Sequence, residues 1–258
     1  MSATIQNIVF ACPGATKGAY ESAGRAIASF YADLLGMRIV REDWFMLGSD
    51  DDAGGLRLAF GDGPIDYQPP RWPDPNHPQQ LHLDVAVSDL DATEGLALQL
   101  GATRLQDQGA YRSYADPIGH PFCLYTDPIP EDVNRHPLSG RIDRVVIDCF
   151  DPQAVAGFYA ELLGMPRRER GTPERVVIAR DDGRLPALAF QQTESPAPRW
   201  PDPAYPQQVH LDLCVDDSEA ARELVSRLGL TRLAEMGGSC PVYADPAGHP
   251  LCLCSPGQ

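Results

Sequence analysis

The sequence predicts an α+β chain of two tandem copies of one domain, each copy holding two βαβββ modules that form a cupped mixed sheet with helices outside. Three observations predict it. Residues 71–84 (RWPDPNHPQQLHLD) return as residues 199–212 (RWPDPAYPQQVHLD), 128 positions later. Phe30-Tyr31 and Leu34-Leu35-Gly36-Met37 return as Phe158-Tyr159 and Leu162-Leu163-Gly164-Met165. Tyr114-Ala115-Asp116-Pro117 with Gly119-His120-Pro121 returns as Tyr243-Ala244-Asp245-Pro246 with Gly248-His249-Pro250. A period this long marks a duplicated domain, because solenoid repeats run only ~20–50 residues.

The elements follow in order. Ile5–Phe10 reads as a strand, and Ala23, Ala26, Ile27, Phe30, Tyr31, Leu34 and Leu35 recur at helical spacing. Gly36 stands where a left-handed C-terminal cap is wanted. Short strands are expected near Trp44–Leu47 and Leu56–Phe60, then a period-2 strand at Leu81–Val87. Ser88 or Asp89 can cap the next helix, which ends at Gly101. Strands near Thr103–Gln106, Arg112–Tyr114 and Phe122–Tyr125 close the copy. The second copy repeats this: strand Arg141–Cys149, a helix capped by Asp151 with Pro152 in its first turn, strand Val209–Val215, a helix from Asp217 through Leu228, and strand Leu251–Cys254. Copy one is placed at residues 1–126 and copy two at 141–258. The Pro-rich, aperiodic segment 127–140 reads as their linker.

Composition narrows the function. The chain of 258 residues carries 36 acidic side chains against 21 Lys plus Arg, a net charge of −15. That argues against nucleic acid and against an anionic membrane surface as partners. No apolar run is long enough to span a bilayer and no signal start appears, so a cytoplasmic location is expected. Seven cysteines without a CxxC pair suit reduced thiols better than a disulfide framework.

Strand alternation sorts the faces. In Leu81–Val87 the apolar Leu81, Leu83, Val85 and Val87 belong against helices, leaving His82, Asp84 and Ala86 on the concave face. His210, Asp212 and Cys214 are their counterparts, and the last strands add Cys123 and Tyr125 or Cys252 and Cys254. A His-x-Asp pair on a sheet face is either an acid/base dyad or a structural hydrogen bond.

The FY..LLGM helix, the HLDV.V.DLDA join and the YADPxGHPFCL ending together resemble the vicinal oxygen chelate superfamily, in its glyoxalase and bleomycin-resistance-like branch. The resemblance covers each copy and implies two tandem glyoxalase-like domains. Its enzymes hold a divalent metal, whereas its antibiotic-binding members use the cup alone. The family's ligand positions fall on Asn7, His82 and Cys123 in copy one and on Arg144, His210 and Cys252 in copy two. Only one usual ligand survives per copy, and an Arg would repel a cation. The expectation is therefore no cofactor; any metal would use His82 and Cys123 or His210 and Cys252, with Asp84 or Asp212 as a third donor.

Trp72 and Trp200, in the loop ahead of each His strand, can wall a ring-bearing ligand, and Arg71 and Arg199 can meet an anion. Tyr114 and Tyr243 are candidate cup residues, while His120 and His249 read as structural. The reading is a cup that binds a small organic molecule without metal. Its rival is a lyase, isomerase or dioxygenase using His82 or His210, tuned by Asp84 or Asp212, as acid/base or metal ligand. Internal pseudo-symmetry makes a monomer the default over a homodimer. The two cups are expected to be chemically unequal.

Overall fold

A computed structural model describes residues 2–14, 16–49, 55–63, 67–127, 138–166, 171–200, 202, 205–233 and 240–255. Most of the expected linker, residues 128–137, lies outside the described residues. The first module runs β1 (Thr4–Cys12), α1 (Lys17–Leu35), β2 (Arg38–Arg41), a short 3-10 turn (Asp43–Phe45), β3 (Met46–Gly48) and β4 (Arg57–Asp62). The second runs β5 (Leu81–Val87), α2 (Leu90–Gln99), β6 (Thr103–Asp107), β7 (Tyr111–Ala115) and β8 (Pro121–Thr126). The third holds β9 (Arg141–Cys149), α3 (Pro152–Leu163), β10 (Arg175–Ile178) and β11 (Ala187–Gln192). The fourth holds β12 (Val209–Cys214), α4 (Ser218–Leu228), β13 (Thr231–Arg232), β14 (Val242–Ala244) and β15 (Pro250–Cys254).

Local chemistry sets the helix ends. Asp151 accepts from the amides of Gln153 and Ala154, and Pro152 supplies a fixed first-turn φ. Gly36 and Gly164 end α1 and α3 at φ 65° and 63°, a region costly for residues with a Cβ. Ile27, Phe30, Tyr31 and Leu34 are buried on one face of α1. Each large apolar side chain so buried contributes roughly 1.5–3 kcal/mol.

The fold class is as expected, but strands are not assigned to sheets copy by copy. One sheet has the order β13-β14-β15-β12-β1-β4-β3-β2 and the other β10-β11-β9-β5-β8-β7-β6. The first module therefore shares its sheet with the fourth, and the second with the third. The expectation that each copy's own modules complete one cup is corrected. The seams are antiparallel: β1 on β12, with Asn7 opposite Asp212, and β5 on β9, with Asp84 opposite Arg144. The modules of one copy meet instead through their helix-side core. Tyr31 of α1 donates to Asp116 at 3.1 Å, and Tyr159 of α3 donates to Asp245 at 3.1 Å.

The repeated Gln residues explain how the two sheets are tied. The Gln80 amide nitrogen donates to Gln208 Oε1 at 3.1 Å, and the Gln208 amide nitrogen to Gln80 Oε1 at 2.9 Å. Each side chain also donates to the other copy's loop, Gln80 to the Pro206 carbonyl and Gln208 to that of Pro78. Both residues are buried, so these bonds satisfy groups that water cannot reach.

The thiol expectation fails at one pair: Cys240 and Cys254 are disulfide-bonded, while Cys12, Cys123, Cys149, Cys214 and Cys252 are free. The sequence lacks a spacing signature because the bond joins a loop to a strand that the fold brings beside it.

Candidate functional site

Two concave faces carry polar clusters, and cross-copy pairing decides their membership. On the first cup, β12 presents His210 and Asp212, β15 presents Cys252, and β1 presents Asn7. Asn7 Nδ2 donates to Asp212 Oδ2 at 2.8 Å, and His210 Nε2 lies 3.4 Å from Asp212 Oδ1. Burial would raise the Asp212 pKa, but hydrogen bonds from His210, Asn7 and Cys252 hold it below the usual carboxylate range. Burial, then the Asp212 charge, pushes the Cys252 thiol up. Asn7 Oδ1 is buried and has no hydrogen-bond partner. Beneath this cluster Val9, Met46 and Ala59 form a buried apolar floor separate from the main core. Across the sheet, Trp200 packs against a second apolar cluster of Val242, Cys252 and Cys254. Cys214 lies opposite Cys254 on the same side.

The second cup is built differently. His82 Nε2 lies 3.5 Å from Asp84 Oδ1. Arg175 donates to Asp84 Oδ2 at 3.0 Å, and Arg144 Nη1 stands 3.6 Å from the same oxygen. Burial opposes ionisation of Asp84, yet His82, Arg175 and Arg144 depress its pKa. Burial also opposes the His82 charge, but hydrogen bonds with Asp84 and Cys123 win, raising its pKa from 6.5 to about 10. The Arg144 guanidinium lies 5.4 Å over the Tyr125 ring, and the Tyr125 hydroxyl donates to Asp143. Arg175 also reaches Gln191, whose amide donates to Asp148 at 2.7 Å. This cup is thus bridged by internal ion pairs.

The candidate residues accordingly regroup. Asn7 belongs with His210, Asp212 and Cys252, and Arg144 with His82, Asp84 and Cys123. In each cup the His, Asp and Cys ligand atoms lie within 4.8 Å of one another. Several expectations are corrected. Tyr114 is fully buried and stacks on Phe122 at 5.3 Å, so it faces the helices, and Tyr243 joins the same core. Arg71 is engaged by His77 at 2.6 Å within its own loop. Arg199 lies 3.5 Å over the Tyr205 ring, so each loop Arg packs on the residue six positions later in its own loop. Trp72 is half-buried ahead of β5. His120 bonds the Tyr67 hydroxyl at 2.8 Å within the core.

Sequence reasoning missed Arg57, Trp44, Arg175 and Asp148. Period-2 alternation would have found Arg57, Ala59 and Gly61 on one face of β4. Arg175 had no signal, because its counterpart in copy one is not an Arg.

A model of the glyoxalase-like domain matches residues 21–125 and again 144–254. The chain belongs to the glyoxalase-like domain family. Among solved structures this family member is similar to a mutant glyoxalase I from Zea mays, 16% identical over 98% of this chain and 94% of that one, with a TM-score of 0.65. Glyoxalase I from Zea mays itself gives 14% identity, 98% and 92% coverage and a TM-score of 0.60. A candidate dioxygenase from Bacillus subtilis gives 12% identity, 100% and 86% coverage and a TM-score of 0.62. At such identities the likeness speaks for the fold alone. No curated protein matches the sequence. No helix among the described residues is long and apolar enough to cross a membrane.

Proposed function

We propose that this glyoxalase-like protein binds a small organic molecule in the cup formed by β1 and β12, without the divalent metal that the family's enzymes use. The second cup then serves mainly as a support. The observation that carries this reading is the state of Asp212. Its oxygens already accept from Asn7 and face His210, while Asn7 Oδ1 is buried without a hydrogen-bond partner on the same face as an apolar floor. A metal would have to displace those donors and deprotonate a Cys252 thiol whose pKa burial has raised. In the second cup the guanidinium groups of Arg144 and Arg175 both meet Asp84, which disfavours a cation there. An organic ligand needs none of these changes: apolar walls supply burial and few polar groups fix orientation. Sequestration of a natural product or antibiotic is one form of this activity. Elemental analysis of protein purified without chelator tests the reading, and near-stoichiometric metal surviving dialysis would defeat it.

One observation favours the enzymatic alternative. His210 is less buried than His82 and is oriented by Asp212 at 3.4 Å, the arrangement of a general acid/base dyad. A lyase or isomerase of this type would lose turnover, and little affinity, in His210→Gln.

A further inference from the structure

Three features of the β1–β12 cup remain unused by the fold. First, Arg57 pairs in register with Asn7, which puts it on the same concave face. It is half-buried, and among the described residues it has no ion-pair partner. A guanidinium without a carboxylate partner keeps its N–H donors available for an anion. Second, Asn7 is only 8% exposed and its Oδ1 accepts nothing, so a donor is missing there.

Third, Trp44 hangs over the floor. A Cβ built on Gly61 would lie 3.6 Å from Val9 Cγ1 and 3.9 Å from the Trp44 indole, so ring and floor face each other across that glycine. Trp44 sits at φ 60°, ψ 17° and Phe45 at φ 42°, a left-handed conformation in two successive residues with side chains. Such strain gathers where a side chain must be aimed. It leaves Trp44 41% exposed, although a tryptophan could gain by burial.

We infer that this cup recognises a flat, ring-bearing organic acid that also carries a hydroxyl: the carboxylate meets Arg57, the hydroxyl donates to Asn7 Oδ1, and the ring lies against Trp44. The inference rests on the cup-binding reading above and adds the class of ligand. The β5–β9 cup is excluded from this role because Arg144 and Arg175 are already paired with Asp84.

The test uses the full chain and three probes: a hydroxynaphthoic acid, its neutral carboxamide and its O-methyl ether, titrated by calorimetry and tryptophan fluorescence. The acid should bind at least about tenfold more tightly than the carboxamide, since a charge-assisted bond is lost. The methyl ether should bind severalfold more weakly than the free hydroxyl compound. Arg57→Gln should erase the preference for the acid while leaving carboxamide affinity unchanged. Arg175→Gln should change neither. Equal binding of acid and carboxamide, a preference that survives Arg57→Gln, or no binding of any probe would overturn the acid class. Gly61→Leu separates that failure from failure of the cup itself, because its side chain would fill the space beneath Trp44 at a position without positive φ. If the probes bind Gly61→Leu as well as wild type, the cup reading falls too. Unchanged melting temperatures in both variants exclude misfolding as the cause.

Discussion

Replacing Gln80 by Ala tests the cross-copy architecture most directly. The side chain accepts from the Gln208 amide at 2.9 Å and donates to the Pro206 carbonyl at 2.7 Å. Gln80 is 7% exposed and Gln208 5%, so water does not replace these bonds. Two neutral hydrogen bonds contribute about 1 kcal/mol each, and stranding the Gln208 amide adds about 1–3 kcal/mol. The total is roughly 3–5 kcal/mol. At about 2–4 °C per kcal/mol for a chain of this size, the melting temperature should fall by roughly 6–20 °C. Because Gln208 makes the reciprocal bonds to main-chain groups, Gln208→Ala should cost about the same, and the double variant more than either. Circular dichroism melts of the three variants measure this. A fall under about 2 °C would refute the view that these residues tie the sheets together.

Splitting the chain should give a matching result. Residues 1–127 and 138–258 produced separately should each self-associate, and together they should form a one-to-one complex, because both seams join opposite copies. Monomeric halves in sedimentation velocity would contradict that topology. The His82 pKa is raised to about 10, so its contribution to stability is fully present below the ordinary value of 6.5 and is lost as pH rises toward about 10. The difference in urea midpoint between wild type and His82→Gln should shrink across that window, and a pH-independent difference would count against the pairing with Asp84. Asp116→Ala removes the acceptor of Tyr31 and of the Ile118 and His120 amides, a loss of about 3–5 kcal/mol, measurable as a urea midpoint shift with no change in probe affinity.

The strands that carry His82, Asp84, His210 and Asp212 were legible because a period-2 pattern names the buried face without any tertiary information. The Asp151 and Asp217 caps and the Gly36 and Gly164 ends were legible for the same reason: their chemistry is local. Trp44 was not. An extended strand was expected through it, but the chain turns there at positive φ and the strand begins only at Met46. The facing of Tyr114 was missed because the adjacent turn residues carry no alternation. The engagement of Arg71 by His77 and of Arg199 by Tyr205 depends on loop closure, which differing residues at one position achieve in different ways.

By itself the sequence determined the duplication, the order of elements, the helix caps and which side chains leave the two His-bearing strands toward the concave face. All of these follow from local periodicity and backbone chemistry. Only the tertiary structure decided which concave residues meet. Strand pairing is a long-range choice, and either first strand could have closed on its own copy or on the other. Pairing across copies put Asn7 beside Asp212 and Arg144 beside Asp84. It thereby left one cup apolar with unmet polar groups and filled the other with ion pairs.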